Sequence, residues 1–365
     1  MHGACASRKP HKANVMSRKK IHHRIPLLNR LYTQRNVARE ERNIALAERD
    51  EALRELCNAQ QLTQKALHES VEAQRRLNEV VVDRNEKDLS QKLFVPLGHY
   101  FSPIVNVAEI EQYIKRLSVR DIESIPGIDV RRDDMVAIWN ELLPFLTTNP
   151  FPDQRSMDFR YAFENDSYSW GDGSILHAMI RKYRPKRYIE IGSGWSSVCA
   201  IDTIERYSNV CHLTFIEPYP DLLNDLLGTT KLPVDIIETI VQKIPISLFD
   251  TLEPNDMLFI DSTHVMRTGS DVCFELFEIL PRIRPGVLVH FHDIFWPFEY
   301  PAAWVIDDNR SWNELYAVRA FLTNNRQWEI VFFNHYFAKM EKELINNTYP
   351  AFLKNSGGAL WLRRR

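Results

Sequence analysis

Two short polar segments carry the residue types that move protons and bind cations. The first is Asp261-Ser262-Thr263-His264, and the second contains His292 and Asp293. Each follows an apolar run typical of a buried strand, and parallel sheets place their ligands at the carboxyl ends of strands. Two carboxylates and an imidazole are suited to part of the shell of a hard or borderline divalent ion. The segments therefore predict a catalytic centre with Asp261, His292 and Asp293 as candidate metal ligands.

His264 is the side chain expected to take a proton from an acceptor. An unperturbed imidazole has a pKa of about 6.5, so it accepts a proton at neutral pH. The alternative for His264 is a loop histidine that caps a helix or faces solvent. His290 lies within the apolar run itself and is expected to be a core residue.

A glycine-rich turn lies upstream, in Glu190-Ile191-Gly192-Ser193-Gly194-Trp195-Ser196-Ser197. Glycines let the backbone turn sharply near a ligand, and the helix that follows offers unpaired N–H groups. Such turns also occur in dinucleotide enzymes, but Ser197 stands where that fingerprint has its third glycine. A second acid, Glu217, ends the next apolar run. The turn predicts a cofactor pocket, with an NAD-type Rossmann enzyme as the competing interpretation.

The elements around these residues alternate between apolar runs and helical stretches beyond residue 168, which predicts a parallel sheet of βαβ units. The last two strands have no helix of clear period between them and are expected to close the sheet as an antiparallel pair. The predicted strands are 187–191, 213–217, 234–240, 257–261, 287–291, 329–333 and 360–363. The predicted helices are 107–117, 132–146, 196–207, 221–227, 270–280 and 312–324, and Asp172 or Ser174 is expected to cap a further helix from Ile175.

The turn and the strand-terminal acid together resemble the class I S-adenosylmethionine (SAM)-dependent methyltransferases. The resemblance covers about 165–365 and implies an α/β, Rossmann-like seven-stranded sheet with helices on both faces. It also implies that Glu190 lies near the methionine end of SAM and that Glu217 binds both ribose hydroxyls. The remaining expected cofactor residues are Gly192, Ser193, Gly194 and Ser196 in the turn, with Tyr219 over the adenine and Gln242 at its edge.

The later segments look like the metal-assisted O-methyltransferases of the catechol and macrolide-sugar types. In the sugar enzymes an Asp-x-x-His supplies a metal ligand and a base, and a later acidic pair supplies more ligands. Asp261 and His264 match the first element, but His292 stands where an acid is expected. The expected function is therefore O-methylation of a small-molecule or glycan hydroxyl, with Asp261 and His264 catalytic and Mg²⁺ or another divalent cation as a candidate cofactor. A non-catalytic scaffold that binds SAM is the alternative.

The N-terminal part is expected to form a basic tail (1–26), a long helix (27–95) and a linker with a helical cap (96–165), ahead of the methyltransferase domain (166–365). No Gly or Pro interrupts 27–95. Alanine recurs there every seven residues, which predicts a coiled coil with a second copy of the chain, hence a homo-oligomer. A single charged helix is the alternative. The seam residues are Ala38, Ala45, Ala52, Ala59, Ala66 and Ala73.

The composition of the chain bears on its expected cellular location and on its binding partners. Five scattered cysteines without CxxC spacing indicate neither a disulfide framework nor a zinc site, and a reducing, cytoplasmic location is expected. No apolar stretch reaches the roughly 20 residues of a membrane span. The first 30 residues hold eight Lys/Arg and no acids, so the tail either binds anionic lipid or nucleic acid or is simply solvated. The catalytic region is net acidic and lacks an amino-methylation motif, which argues against nucleic acid as the acceptor.

Overall fold

The computed structural model describes residues 93–118, 122–207 and 210–365. The predicted basic tail and all but the last residues of the predicted long helix lie outside that part, so the coiled coil and the homo-oligomer stay predictions. Within the described ranges no helix is both long and apolar enough to cross a membrane.

Seven strands form one mixed sheet, as the sequence predicted. They are β1 (Arg187–Ile191), β2 (His212–Ile216), β3 (Val234–Ile237), β4 (Met257–Ile260), β5 (Leu288–Phe291), β6 (Trp328–Phe333) and β7 (Leu360–Arg364). Their order is β3-β2-β1-β4-β5-β7-β6. The first five run parallel, and β7 pairs antiparallel with both β5 and β6. The Rossmann-like sheet with its antiparallel closure is thereby confirmed.

The sheet brings the polar segments together because its central strands are neighbours. Strand β4 lies between β1 and β5, and all four of its residues are buried. Such continuous apolar runs suit parallel strands, which are covered on both faces. The chain leaves β1 and β4 in register, since the Asp261 N–H donates to the Ile191 carbonyl at 2.9 Å. The glycine turn and the Asp261–His264 segment therefore start side by side.

The helices in the described residues are α1 (Val107–Ser118), α2 (Arg132–Leu146), α3 (Trp170–Tyr183), α4 (Trp195–Tyr207), α5 (Asp221–Leu227), α6 (Asp271–Phe274), α7 (Ala302–Ile306), α8 (Glu314–Leu322), α9 (Asn334–Met340) and α10 (Lys342–Thr348). Helix α6 continues as a π turn over Glu275–Ile279. The two short helices α9 and α10 lie between β6 and β7, where the sequence showed no clear helical period.

Helix α3 begins five residues before the predicted start at Ile175. Its first turns contain Gly171 and Gly173, which lower helix propensity and so conceal the helix in the sequence. Both glycines are needed for close contacts. A Cβ on Gly173 would lie 1.9 Å from the Tyr161 hydroxyl, and one on Gly171 would lie 2.3 Å from the Ser356 carbonyl.

The cap packs on the sheet rather than standing apart from it. Residues 95–365 form one compact unit. In α2 the buried Trp139 contacts Phe332, Phe337 and Phe352, with ring centroids 5.0 to 6.2 Å apart. The core of the cap is therefore continuous with the layer that covers β6.

Candidate active site

A cavity of about 520 Å³ opens at the carboxyl ends of β1, β2, β3 and β4. Four of the predicted cofactor residues, Gly192, Glu217, Tyr219 and Gln242, line it, and Asp261 lies on the same wall. The backbone turns sharply at Gly192, where φ is +84°, and a Cβ there would lie 1.9 Å from the Asp261 carbonyl oxygen. Only glycine fits this position, so the turn can reach the end of β4.

Glu217 is held at the cavity by backbone donors. Its Oε2 accepts from the Ser193 N–H at 3.1 Å, and its Oε1 accepts from the Tyr219 N–H at 2.9 Å. The remaining lone pairs of both oxygens stay available to hydroxyl donors. Tyr219 is 81% exposed, so its ring stands at the mouth of the cavity instead of packing in the core.

Glu190, Ser193, Gly194 and Ser196 are not wall residues of this cavity. Glu190 is buried beneath the turn, and its Oε1 accepts from Ser196 Oγ at 2.5 Å and from Ser197 Oγ at 2.9 Å. Ser197 Oγ also accepts from the Gly194 N–H at 3.0 Å. This bridge explains why a serine, rather than a third glycine, suits the position. Burial raises the pKa of Glu190 to about 8, although the serine hydrogen bonds oppose the rise.

Three predicted cofactor residues hold buried polar atoms without a partner among the described residues. These atoms are Glu190 Oε2, Ser193 Oγ and Gln242 Oε1. The other end of the Gln242 amide is fixed, because Nε2 donates to the Gly269 carbonyl at 3.0 Å. Leaving such a group unsatisfied costs about 1–3 kcal/mol. Two of these atoms lie at the turn after β1 and the third follows β3, so all three lie near the carboxyl ends of parallel strands, where a polar ligand would supply the missing partners.

The ends of β4 and β5 bring the predicted catalytic residues together. His264 Nε2 lies 3.3 Å from Asp261 Oδ1 and 3.5 Å from Asp293 Oδ2. His292 Nδ1 lies 3.3 Å from the same Asp261 Oδ1 and 3.7 Å from Asp293 Oδ1. His264 and Asp293 both adopt left-handed backbone, with φ of 61° and 56°. Left-handed backbone is uncommon for residues other than glycine, and Asp and His are among the types that adopt it most readily.

The protonation of His264 differs from the sequence expectation. Burial alone would lower its pKa, but hydrogen bonds to Asp261 and Glu314 and the charges of both carboxylates raise it to about 10. The imidazole is therefore charged at neutral pH. The assumption of a pKa near 6.5 was wrong because it took no account of these carboxylates.

Glu314 is a site residue that the sequence did not indicate. Its buried Oε2 lies 2.8 Å from His264 Nδ1. The backbone N–H groups of Asn313 and Glu314 both donate to the His264 carbonyl at 3.1 Å. The start of α8 thus fixes the histidine through main chain and side chain. Fifty residues separate the two partners, and no local motif connects them.

His292 joins this cluster to the interior of the protein. Its Nε2 lies 3.4 Å from Asp172 Oδ2. Burial lowers the pKa of His292, but Asp293, Asp261 and Asp172 together raise it by more, so the net shift is upward. Burial raises the pKa of Asp261, but the charges and hydrogen bonds of His292 and His264 lower it by more, so its net shift is downward. The carboxylate of Asp261 is therefore ionised between two charged imidazoles.

The predicted metal ligands Asp261, His292 and Asp293 meet, but they do not form a metal-binding arrangement. A histidine ligand must offer an unprotonated nitrogen. Here His292 Nδ1 lies 3.3 Å from Asp261 Oδ1, and His292 Nε2 lies 3.4 Å from Asp172 Oδ2, so both ring nitrogens face carboxylates. Among the described residues no group of three His, Cys, Asp or Glu side chains is disposed to hold a metal ion. The sequence prediction named these three residues as ligands but did not include the pairing of His292 with both carboxylates.

Asp172 does not cap the following helix, contrary to one of the sequence expectations. It is buried within α3, where Oδ1 accepts from Asn334 Nδ2 and from the Ala359 N–H, both at 3.0 Å. The Gly358 N–H donates to its Oδ2 at 3.3 Å. Asp172 thus connects α3, β7 and the His292 ring.

His290 and three other ring residues differ in their surroundings. His290 is buried and stacks on Phe259 at 3.9 Å, and burial lowers its pKa, so it is a neutral core residue as expected. Tyr300 and Trp304 lie in an aromatic cluster that reaches His264 through Trp312. Tyr100 is exposed, and its ring pairs with Phe101.

The sequence is similar to a known family of domains and to a protein of another organism. Residues 189–294 match a family model described as a methyltransferase domain. A protein of Archaeoglobus fulgidus, described as uncharacterized, is 30% identical over 170 residues, covering 45% of this chain and 76% of that protein.

Solved structures also resemble the chain at low identity. One is the O-methyltransferase TomG from Streptomyces achromogenes, involved in tomaymycin synthesis and solved with SAM, at 15% identity and a TM-score of 0.35, covering 70% of this chain and 96% of that one. Another is an O-methyltransferase from Bacillus cereus in complex with SAH, at 14% identity and a TM-score of 0.34, covering 70% and 97%.

Proposed function

Because residues 189–294 match a methyltransferase domain, we propose that the chain is a class I SAM-dependent methyltransferase that transfers the methyl group of SAM to a hydroxyl oxygen of a small-molecule or glycan acceptor. One observation carries the proposal. Asp261 lines the cofactor cavity and also lies 3.3 Å from His264 Nε2, so the cavity and a proton-accepting cluster share a wall. An acceptor hydroxyl placed over Asp261 faces both.

The residues present fit the cofactor. Glu217 offers lone pairs to the ribose hydroxyls, and Tyr219 and Gln242 border the adenine position. Contact of Glu190 and Ser193 with the methionine end stays a prediction, since their unpartnered oxygens are buried and these residues do not line the cavity. When bound, SAM supplies an activated methyl group on its sulfonium. The protein has to supply position, charge and a path for one proton.

His264 is the proposed base, and Glu314 orients it. The neutral form of His264 accepts the hydroxyl proton at Nε2, and Glu314 on Nδ1 holds the ring and balances the imidazolium that results. Since the pKa of His264 is raised to about 10, only a minor fraction is neutral at pH 7. The proposed mechanism therefore speeds up as the pH rises.

The proposed mechanism involves no metal ion, because the candidate ligand His292 is paired with the other two candidate ligands, Asp261 and Asp293. The charged rings of His264 and His292 already provide positive charge beside Asp261. We expect EDTA to leave turnover unchanged in an active preparation. Loss of turnover on chelation, restored by Mg²⁺, would instead show that the cluster rearranges around a cation.

Cofactor binding is the first test. A ligand that binds only the folded protein stabilises it by about 2.7 kcal/mol at one hundred times its Kd. We expect saturating SAH to raise the Tm of the full chain, and Glu217→Ala to abolish that shift. Glu238→Ala removes an exposed carboxylate near the end of β3 and should behave like the wild type. Stabilisation by NAD in place of SAH would contradict the proposal.

A further inference from the structure

A groove runs between α1 and the segment 299–316, away from the cofactor cavity. Its larger part has a volume of about 340 Å³. A smaller part of about 160 Å³ adjoins it and shares Ile114, Glu299 and Tyr300 as common walls. The volume of the larger part is within the range of about 300–1,000 Å³ that is typical of sites for small organic ligands.

The groove lies one side chain from the proposed base. Trp312 lines its larger part, and the Trp312 ring is centred 4.5 Å from the His264 ring. Asn313 lines it as well, and its N–H donates to the His264 carbonyl at 3.1 Å. The Trp312 ring therefore has the groove on one side and the His264 ring next to it.

Aromatic faces and paired polar groups make up the walls. Tyr113 is 48% exposed and Tyr316 is 40% exposed. Glu299 accepts from both of their hydroxyls, at 3.3 and 2.9 Å, and so holds both side chains at the wall of the groove. The guanidinium of Arg310 lies over the Trp312 ring at 4.9 Å.

These groups fit the two surfaces of a sugar ring. A pyranose has apolar C–H faces, which pack on aromatic rings, and an edge of hydroxyls, which donate to carboxylates and accept from guanidinium. A planar phenol would also pack on the aromatic rings of the groove. It has only one or two hydroxyls, however, which is too few for the several polar groups on the groove walls. Two adjoining cavities also exceed what a single ring fills.

We propose that this groove binds a saccharide of at least two rings, namely the part of the acceptor beyond the methylated hydroxyl. The inference rests on the proposed function and narrows its acceptor class from a hydroxyl compound to an oligosaccharide. Stacking on Tyr316 and Tyr113 carries most of the affinity, and Glu299 sets the orientation.

Direct binding to the full chain tests the inference without turnover. The probes are mono-, di- and trisaccharides of common neutral hexoses, with catechol and caffeate as comparison ligands, followed by tryptophan fluorescence and isothermal titration with and without SAH. We expect di- and trisaccharides to bind, Tyr316→Ala to weaken them at least tenfold, and Tyr316→Phe to keep most of the affinity.

Control variants distinguish loss of saccharide binding in the groove from a general effect of removing a tyrosine or of misfolding. Tyr207→Ala removes a tyrosine of 39% exposure on α4 and should leave saccharide binding unchanged. Every variant should keep the SAH-induced rise in Tm, which also verifies folding. Tyr113→Ala, on the other wall, provides a second variant if Tyr316→Ala fails to fold.

The outcomes distinguish the two proposals. With SAH binding intact, absence of saccharide binding, insensitivity to both tyrosine variants, or preferential binding of catechol or caffeate would overturn the groove assignment alone. Loss of SAH binding in the wild type would overturn the proposed function, whatever the saccharides do.

Discussion

The chemistry of His264 depends on carboxylates that come from three different segments. Asp261 lies three residues away, Asp293 follows β5, and Glu314 begins α8. The first two were predicted to be near because both follow central strands of one sheet. Glu314 was not predicted to lie near His264, because its position depends on the path of the segment 294–313 between β5 and α8. Residue types were thus predictable at this site, whereas protonation states were not.

Removing the Glu314 charge should shift the pH dependence of turnover. With the pKa of His264 at about 10, we expect kcat to rise about tenfold per pH unit below that value and then level off. Glu314→Gln deletes a negative charge that favours the imidazolium, so the pKa falls and the plateau begins at lower pH. Profiles between pH 6.5 and 10.5 measure this. Glu278→Gln, an exposed carboxylate, is the control, and an unshifted profile for Glu314→Gln would exclude the pairing as the cause.

Glu190 should make cofactor binding depend on pH. Its folded-state pKa of about 8 lies above the usual 4.5, so the free protein holds a proton there at pH 7, and the stability that this proton contributes is lost as pH rises from about 4.5 to about 8. The ammonium of SAH favours the ionised carboxylate, so binding releases that proton and affinity increases from pH 6 to 8. Calorimetry in buffers of different ionisation enthalpy counts the proton. Glu190→Gln should flatten the dependence, and an equal slope in the variant would rule Glu190 out.

At the scale of elements, the sequence was informative wherever structure is set locally. Strand β1 and helices α2 and α5 have the predicted bounds, because β-branched runs and helical periods report on neighbouring residues. Helix α3 starts earlier than predicted because its glycines serve contacts with Tyr161, twelve residues before Gly173, and with Ser356, 185 residues after Gly171. Tertiary contact here overrides helix propensity.

The turn after β1 is predicted to tolerate no side chain at Gly192. Gly192→Ala combines positive φ with a Cβ 1.9 Å from the Asp261 carbonyl, so the turn or the end of β4 must move. Gly228→Ala shares the positive φ, but nothing lies within 4 Å of its Cβ. We expect the backbone strain alone to cost about 1–3 kcal/mol in each variant. Titration with SAH should show binding lost in the first and kept in the second, and equal affinities would refute the steric explanation.

At the scale of the whole molecule, the sheet and its cap form the unit 95–365, which carries the cavity, the catalytic cluster and the groove. We propose that the methyltransferase domain proper spans 166–365 and that 96–165 is its cap. The sequence placed this boundary by a change of pattern near residue 168. It could not show that α2 shares its core with β6, because that contact joins residues almost 200 positions apart.

The seven-residue alanine repeat predicts that full-length chains associate. A charge placed in the seam must be desolvated in the paired helices, which costs far more than at a solvated position. We expect the wild type to exceed the monomer mass of 42.9 kDa in light scattering and Ala52→Glu to shift it toward the monomer. Ala47→Glu makes the same change two positions after seam residue Ala45, on another face of the predicted helix, and should keep the wild-type mass. If both variants retain that mass, or if the wild type is monomeric, the repeat describes a single charged helix instead.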